Sequence, residues 1–142
     1  MKKLFSTEAI LQDAGLAFVR IIVGLFLLYH GWEVFDAAKM KEYAAWDVFK
    51  QDLSPLFMVY LGKGSEFVAG VLLTIGLLTR LGCLIVIGTM LYISLFVGHG
   101  RIWYEDQHPF LFVLLALVFF FTGSGKWSVD ALVNRLHQQR KA

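Results

Sequence analysis

The chain has 142 residues, of which 58% are hydrophobic and 17% charged, and its formal net charge at pH 7 is +2. Soluble domains contain about 45–50% apolar and about 25% charged residues, so this composition excludes an ordinary soluble domain and predicts a membrane protein. The small, scattered positive charge argues against nucleic acid as a partner, and Cys83, the sole cysteine, excludes a disulfide or dithiol relay within the chain.

Four apolar segments predict four membrane crossings, because a spanning helix needs about 20 mostly apolar residues. They cover approximately residues 14–35, 56–79, 81–99 and 108–124. The first segment carries Arg20 and lacks a small-residue cleavage site, so we expect a retained helix rather than a cleaved signal. Between the first two spans, charged residues alternate with apolar and aromatic ones, which is typical of an amphipathic surface helix. The sequence therefore predicts an all-α, integral membrane four-helix bundle, one domain over residues 1–142.

The distribution of basic residues predicts the orientation of this bundle. Four crossings place both termini on one side, and that side holds seven basic residues: Lys2, Lys3, Arg80, Lys126, Arg135, Arg140 and Lys141. The opposite side holds five: Lys39, Lys41, Lys50, Lys63 and Arg101. The more basic side usually faces the cytoplasm, so both termini are expected there.

Several short motifs occur in a fixed order along the chain. They are Arg20 with Gly24, His30-Gly31, Glu66 with Gly70, Gly76 with Thr79-Arg80, and the stretch G-S-G-K-W-S-V-D at 123–130. Together they resemble the DoxX family of small four-helix bacterial membrane proteins. Members of that family often carry a lysine three positions after the His-Gly glycine, where this chain has Val34.

The resemblance implies redox work in the bacterial inner (plasma) membrane. Relatives in the family include the membrane subunit of a thiosulfate:quinone oxidoreductase, and others resemble components of oxidoreductase complexes tied to sulfur metabolism and oxidative stress. This sequence contains no glycine-rich phosphate loop and no cysteine cluster. The resemblance therefore implies a membrane subunit that binds a quinone while a protein partner supplies electrons.

Ionisable side chains inside spans are costly, and are therefore usually paired or functional. His30 and Glu66 fall at similar depth in the outer half, and His99 and His108 fall at the same end. An imidazole can donate to a quinone carbonyl, and a carboxylate can take up a proton as a quinol is oxidised. We expect His30 and Glu66 to be catalytic at a quinone headgroup site near the outer half. The expected cofactor-binding residues are His30, Glu66, His99, Trp32 and Tyr92.

Other interpretations of these residues stay open. The outer histidines and Glu66 could form ordinary interhelical hydrogen bonds, and His30 with His99 is the reasonable pair for haem, whereas no spacing predicts a zinc site. A small proton-coupled transporter would use Glu66 to exchange protons against a lipophilic cation or metabolite. A non-catalytic anchor or assembly protein would need none of these residues. A homo-oligomer is compatible with each interpretation.

Arg20 is the other ionisable residue within a predicted span. At a rise of about 1.5 Å per residue, it lies roughly 9 Å from the cytoplasmic end of the first span. Asp130 follows the fourth span on the same side, so we expect a structural ion pair between Arg20 and Asp130. The alternatives are a lipid phosphate, reached by the extended arginine side chain, and a direct pair with Glu66.

Overall fold

The computed structural model describes residues 11–50 and 54–141, which fold into six α-helices. They are α1 (Gln12–Gly31), α2 (Ala37–Ala44), α3 (Pro55–Ile75), α4 (Thr79–Tyr92), α5 (Gln107–Thr122) and α6 (Val129–Gln139). Short 3-10 turns at Trp32–Phe35 and Asp47–Phe49 follow α1 and α2, and a π-helical turn, Ile93–Val97, continues α4. Residues 11–50 and 54–141 contain no β-strand, so the all-α prediction is confirmed.

Three helical stretches are long and apolar enough to cross a membrane: Gln12–Phe35, Pro55–Ile75 and Thr79–Val97. They coincide with the first three predicted spans. The fourth predicted span forms α5, which is apolar but has only 16 residues. A helix of that length extends about 24 Å, less than the roughly 30 Å of a typical hydrocarbon core. The structure is thus compatible with a membrane helical bundle, and the fourth crossing stays a prediction.

Buried side chains of α1, α3, α4 and α5 share one apolar core. It consists of Val23, Leu27, Ala69, Leu73, Cys83, Val86, Met90, Phe112, Val113, Ala116 and Phe119. The opposite faces of the same helices are also apolar, with Phe26, Val68, Leu84 and Leu114 exposed. Helices that are hydrophobic on every side suit a lipid environment, because the outward side chains need no water.

Glycines bring the backbones of α1 and α3 into direct contact. A Cβ atom added to Gly24 would lie 2.6 Å from the backbone nitrogen of Thr74, and one added to Gly70 would lie 2.5 Å from that of Leu28. A Cβ atom on Gly31 would collide with the backbone nitrogen of Phe67. Small residues at these crossings allow the close approach that stabilises helix pairs in lipid. The α1–α3 pair therefore places the end of α1 beside the middle of α3.

The segment between the first two spans is less regular than predicted. A single amphipathic helix was expected there, but α2 ends at Ala44 and Trp46 adopts an extended conformation before the 3-10 turn. Asp36 caps α2 by accepting hydrogen bonds from the backbone N–H groups of Ala38 and Lys39. Buried Met40 and Phe49 pack with Val59 of α3, so the segment is attached to the bundle by its apolar side. Residues 51–53 lie outside the described residues.

Candidate functional site

A cavity of about 810 Å³ lies where the end of α1, the α2 segment, the first half of α3 and the second half of α4 meet. Most of its lining is aliphatic or aromatic: Tyr43, Trp46, Phe49, Met58, Val59, Leu61, Leu84, Ile85, Tyr92, Ile93 and Val97. Its polar groups include His30, Glu33, Lys63 and Glu66. An apolar pocket with a few convergent polar groups, in this size range, is typical of a small-molecule site.

The cavity has room because two glycines face open space there. Gly62 of α3 and Gly88 of α4 both line it, and a Cβ atom on either residue would meet no atom within 4 Å. The π-helical turn contributes Ile93 and Val97 to the same wall. Turns of this kind are frequent at functional sites, because they interrupt the regular helix and redirect side chains. The opening thus arises from small residues and an irregular helix end.

Four charged side chains form one network at the polar side of this cavity. Lys63 Nζ lies 3.2 Å from Glu66 Oε2 and 3.1 Å from Glu33 Oε2, and Lys39 Nζ lies 2.8 Å from Glu33 Oε1. The Tyr43 hydroxyl donates a hydrogen bond to Glu33 Oε2 at 3.0 Å. Two ammonium groups thereby balance two carboxylates. This charge balance makes the burial of Glu66, whose side chain is 6% exposed, energetically acceptable.

The network leads from the surface into the protein. The side chain of Lys39 is 47% exposed, whereas those of Glu33 and Lys63 are about half as exposed or less. Lys63 and Glu66 stand three residues apart on α3, which places them on one helical face. Glu33 joins them because the 3-10 turn after α1 directs it toward α2 and α3.

The outer members of the network keep their protons at neutral pH. The hydrogen bond to Glu33 raises the pKa of the Lys39 amine. Burial, together with the neighbouring Glu33 carboxylate, raises the pKa of the Tyr43 hydroxyl. A raised pKa keeps the protonated form at higher pH, so Lys39 stays cationic and Tyr43 stays a neutral donor.

Glu66 and His30 have hydrogen-bonding capacity to spare. Lys63 binds Oε2 of Glu66, and no described residue donates a hydrogen bond to Oε1. The His30 ring makes no hydrogen bond within residues 11–50 and 54–141, and it packs edge-on against Tyr29 and His108, at centroid distances of 5.6 and 6.3 Å. Both side chains line the cavity. They can therefore form hydrogen bonds with a bound molecule.

The structure brings together three of the five residues expected to bind a cofactor: His30, Glu66 and Tyr92 line the cavity. His99 does not line it, because it follows the π-helical turn in an exposed loop where its Nδ1 atom lies 3.6 Å from Glu105 Oε2. Trp32 is also outside it, 63% exposed and packed against Phe35 and Phe67. The part that these two residues take in cofactor binding stays a prediction.

The expected haem pair gains no geometric support from these positions. The histidine ring that packs against His30 is that of His108 rather than His99. Within the part of the chain that the structure describes, no three His, Cys, Asp or Glu side chains group as potential metal ligands.

Sequence reasoning missed the aromatic wall supplied by the α2 segment. Tyr43 and Trp46 pack against each other and both line the cavity. The spacing of Lys39 and Tyr43, four residues apart on α2, could have shown that both reach one partner. That partner is Glu33, which also contacts Lys63. The structure makes Lys63 the centre of its charged network.

Arg20 and Asp130 bind different partners at the opposite end of the bundle. Arg20 is 1% exposed and donates from Nη2 to the Trp127 carbonyl at 2.8 Å. The Asp130 carboxylate accepts hydrogen bonds from the backbone N–H groups of Leu78 and Thr79, at 2.7 and 3.0 Å. Those groups begin α4 and lack partners within the helix. The predicted direct ion pair is thus replaced by a cap on α4 and a bond to the main chain.

The turn between α3 and α4 completes this junction. Gly76 ends α3 with a positive φ of 69°, and its carbonyl accepts the Asp130 N–H at 2.9 Å. A Cβ atom on Gly76 would also collide with the Arg20 guanidinium. Both the positive φ and this close contact therefore require glycine at position 76. Ser128 caps α6 through the Ala131 N–H. The 123–130 stretch therefore fastens the start of α6 to the α3–α4 turn.

The family model for DoxX matches residues 15–99. The chain belongs to the DoxX family. DoxX proteins are membrane proteins, often associated with oxidoreductase-related functions. The matched part of this DoxX chain contains every residue that lines the cavity, whereas the 123–130 stretch lies beyond it. No curated protein and no solved structure matches the chain significantly.

Proposed function

We propose that this DoxX chain is the membrane subunit of a quinone-linked oxidoreductase complex and holds a quinone headgroup in the cavity. The observation that carries the proposal is an apolar space of about 810 Å³ lined by His30 and Glu66, whose ring nitrogens and Oε1 atom form no hydrogen bond with a described residue. A quinone has the matching chemistry, since its ring is apolar on both faces and its two carbonyl oxygens accept hydrogen bonds. Tyr43, Trp46 and Tyr92 would flank such a ring.

The residues of the cavity have distinct roles in this proposal. A bound quinone supplies the redox chemistry, taking up two electrons and two protons to become a quinol. His30 would donate a hydrogen bond to one carbonyl oxygen and so hold the ring in place. Glu66 exchanges a proton through Oε1, while Lys63 holds Oε2 and keeps the carboxylate in place. The network through Glu33 to Lys39 links Glu66 to the surface.

Electrons must reach this site from another protein. The sequence has a single cysteine and no motif for a flavin, a nucleotide or an iron–sulfur cluster. We therefore assign the electron donor to a partner subunit. The proposal also places the chain in the bacterial inner membrane with four crossings, both termini in the cytoplasm and the cavity near the outer leaflet.

Proton-coupled transport is the second candidate, and it would use the same carboxylate facing the same cavity. The position of Lys63 favours the quinone, because a cationic substrate would have to displace an ammonium group already bound to Glu66. Uptake of a lipophilic cation by proteoliposomes that depends on Glu66, without quinone binding, would favour transport. A purely anchoring role predicts that neither property depends on Glu66.

Mass spectrometry of lipids extracted from protein purified in mild detergent tests the proposal. We expect a quinone in the wild-type extract and less than a tenth of that amount with Glu66→Gln or His30→Ala. Asp47→Asn, on an exposed side chain outside the cavity, is the control and should retain it. Absence of quinone from the wild-type protein, even after incubation with an added quinone, would contradict the proposal.

A further inference from the structure

The apolar face of α6 has no partner within the described chain. Leu132, Val133 and Leu136 are 56%, 53% and 52% exposed. Their spacing of one and four residues places them on one side of the helix. Trp127, two residues before the helix begins, is 71% exposed. An exposed apolar stripe on an otherwise polar helix marks an interaction surface.

The position of α6 places this stripe at the edge of the spanning region. Asp130, in its first turn, binds the carbonyl of Gly76 and the N–H groups of Leu78 and Thr79. These residues end α3 and begin α4, two helices long and apolar enough to span a membrane. α6 thus starts at the level where the membrane-spanning helices end, which is the headgroup region.

The rest of α6 and its end are cationic. The sequence from Ala131 to Lys141 contains Arg135, Arg140 and Lys141 and no acidic residue. None of these three forms an ion pair with another described residue. The exposed Arg80 adds a further positive charge at the same end. An apolar stripe with a tryptophan before it and basic residues beside and after it is typical of helices that lie in anionic lipid surfaces.

We propose that α6 binds anionic phospholipid headgroups, lying in the membrane interface with Leu132, Val133 and Leu136 inserted among the acyl chains. Anionic lipid fits better than a second copy of this chain. In a two-fold symmetric contact through this stripe, the basic residues beside it would be brought toward those of the second copy, and like charges would oppose the contact. The proposal is independent of the quinone site.

The test uses the full chain in nanodiscs of phosphatidylcholine alone or with phosphatidylglycerol. A polarity-sensitive fluorophore is attached to Val133→Cys, or to Gln138→Cys on the polar face as the matched control, both in a Cys83→Ala background. We expect the anionic lipid to reduce acrylamide quenching at position 133 several-fold and to leave position 138 unchanged. Arg135→Gln with Arg140→Gln and Lys141→Gln should remove most of that difference.

Hydrogen exchange of the unlabelled wild-type chain gives an answer that needs no variant. Amides of residues 131–139 should exchange more slowly in the phosphatidylglycerol discs. Equal quenching and equal exchange in both lipids would overturn the proposal. Protection that follows the number of chains per disc rather than the lipid would overturn it in favour of self-association.

Discussion

Lys63 is the residue on which the stability of the charged network depends. It is the direct partner of Glu66 and of Glu33, and both carboxylates are largely shielded from water. Removing one member of a buried pair costs more than the pair itself contributes, because the remaining charge loses its compensation. The loss of stability should therefore be larger when a buried member of the network is replaced than when an exposed member is.

Lys63→Met should lower the stability of the folded protein by about 3 kcal/mol, through the uncompensated Glu66 carboxylate. Adding Glu66→Leu to that variant should restore most of the loss, because the unpaired Glu66 charge is then gone and Glu33 keeps Lys39 as its partner. Thermal unfolding in detergent measures both. Lys39→Met, at the exposed end of the network, is the control and should change the midpoint least. A double variant as unstable as the single one would refute the pairing.

Asp130→Ala should loosen the start of α4, because the N–H groups of Leu78 and Thr79 lose their acceptor. Loss of a comparable helix cap costs about 1 kcal/mol. Hydrogen exchange at these two amides should accelerate roughly fivefold, as that energy implies. Asp47→Ala, on an exposed side chain, serves as the comparison. Unchanged exchange at Leu78 and Thr79 would rule out the cap.

The helix pair α1–α3 depends on glycine at the element scale. Gly24→Ala and Gly70→Ala should each destabilise the chain by about 1–3 kcal/mol, because the added methyl group meets backbone atoms that cannot move aside. Gly15→Ala is the matched control on α1, since its Cβ atom would meet nothing within 4 Å. Thermal unfolding compares the three variants. Equal midpoints for Gly15→Ala and Gly24→Ala would contradict the close packing.

The long apolar runs allowed the first three spans to be predicted closely from the sequence. In lipid, an apolar segment of 18 residues or more forms a helix, because a helix satisfies the hydrogen bonds of every backbone N–H and C=O group within the segment. The 36–53 region could not be predicted as well, because its pattern fits a helix throughout. Met40 and Phe49 pack against α3 on either side of the break near Trp46, and such a tertiary contact cannot be derived from the local pattern.

The candidate site was predictable only in part at the scale of the whole molecule. Depth along a span can be counted from sequence, which assigned His30 and Glu66 to one end, and both line the cavity. The sequence does not determine how far a helix is rotated about its axis or which path a loop takes. Trp32 was therefore expected beside the quinone, but it lies outside the cavity and is exposed. Arg20 and Asp130 were predicted at the same end, but a main-chain acceptor and helix N–H groups became their partners.

The orientation of the molecule is predicted by its basic residues and is testable directly. A protease site appended after Ala142 should be cut in inverted membrane vesicles and protected in spheroplasts, because the four predicted crossings would return the chain to the cytoplasm. A site inserted after Asp47, between the first two spans, should show the opposite pattern. Cleavage of both sites from the same side would contradict an odd number of crossings between them.

Binding of a quinone in the cavity is the central claim, and filling the cavity tests it most directly. Gly62→Leu projects a side chain into the cavity, and Gly64→Leu, two residues along α3, projects one into open space outside it. The Cβ atom of either variant would meet no atom within 4 Å. Titration of a soluble quinone into the reconstituted protein should show affinity reduced at least tenfold by Gly62→Leu and unchanged by Gly64→Leu. Equal affinity in both variants would contradict the account.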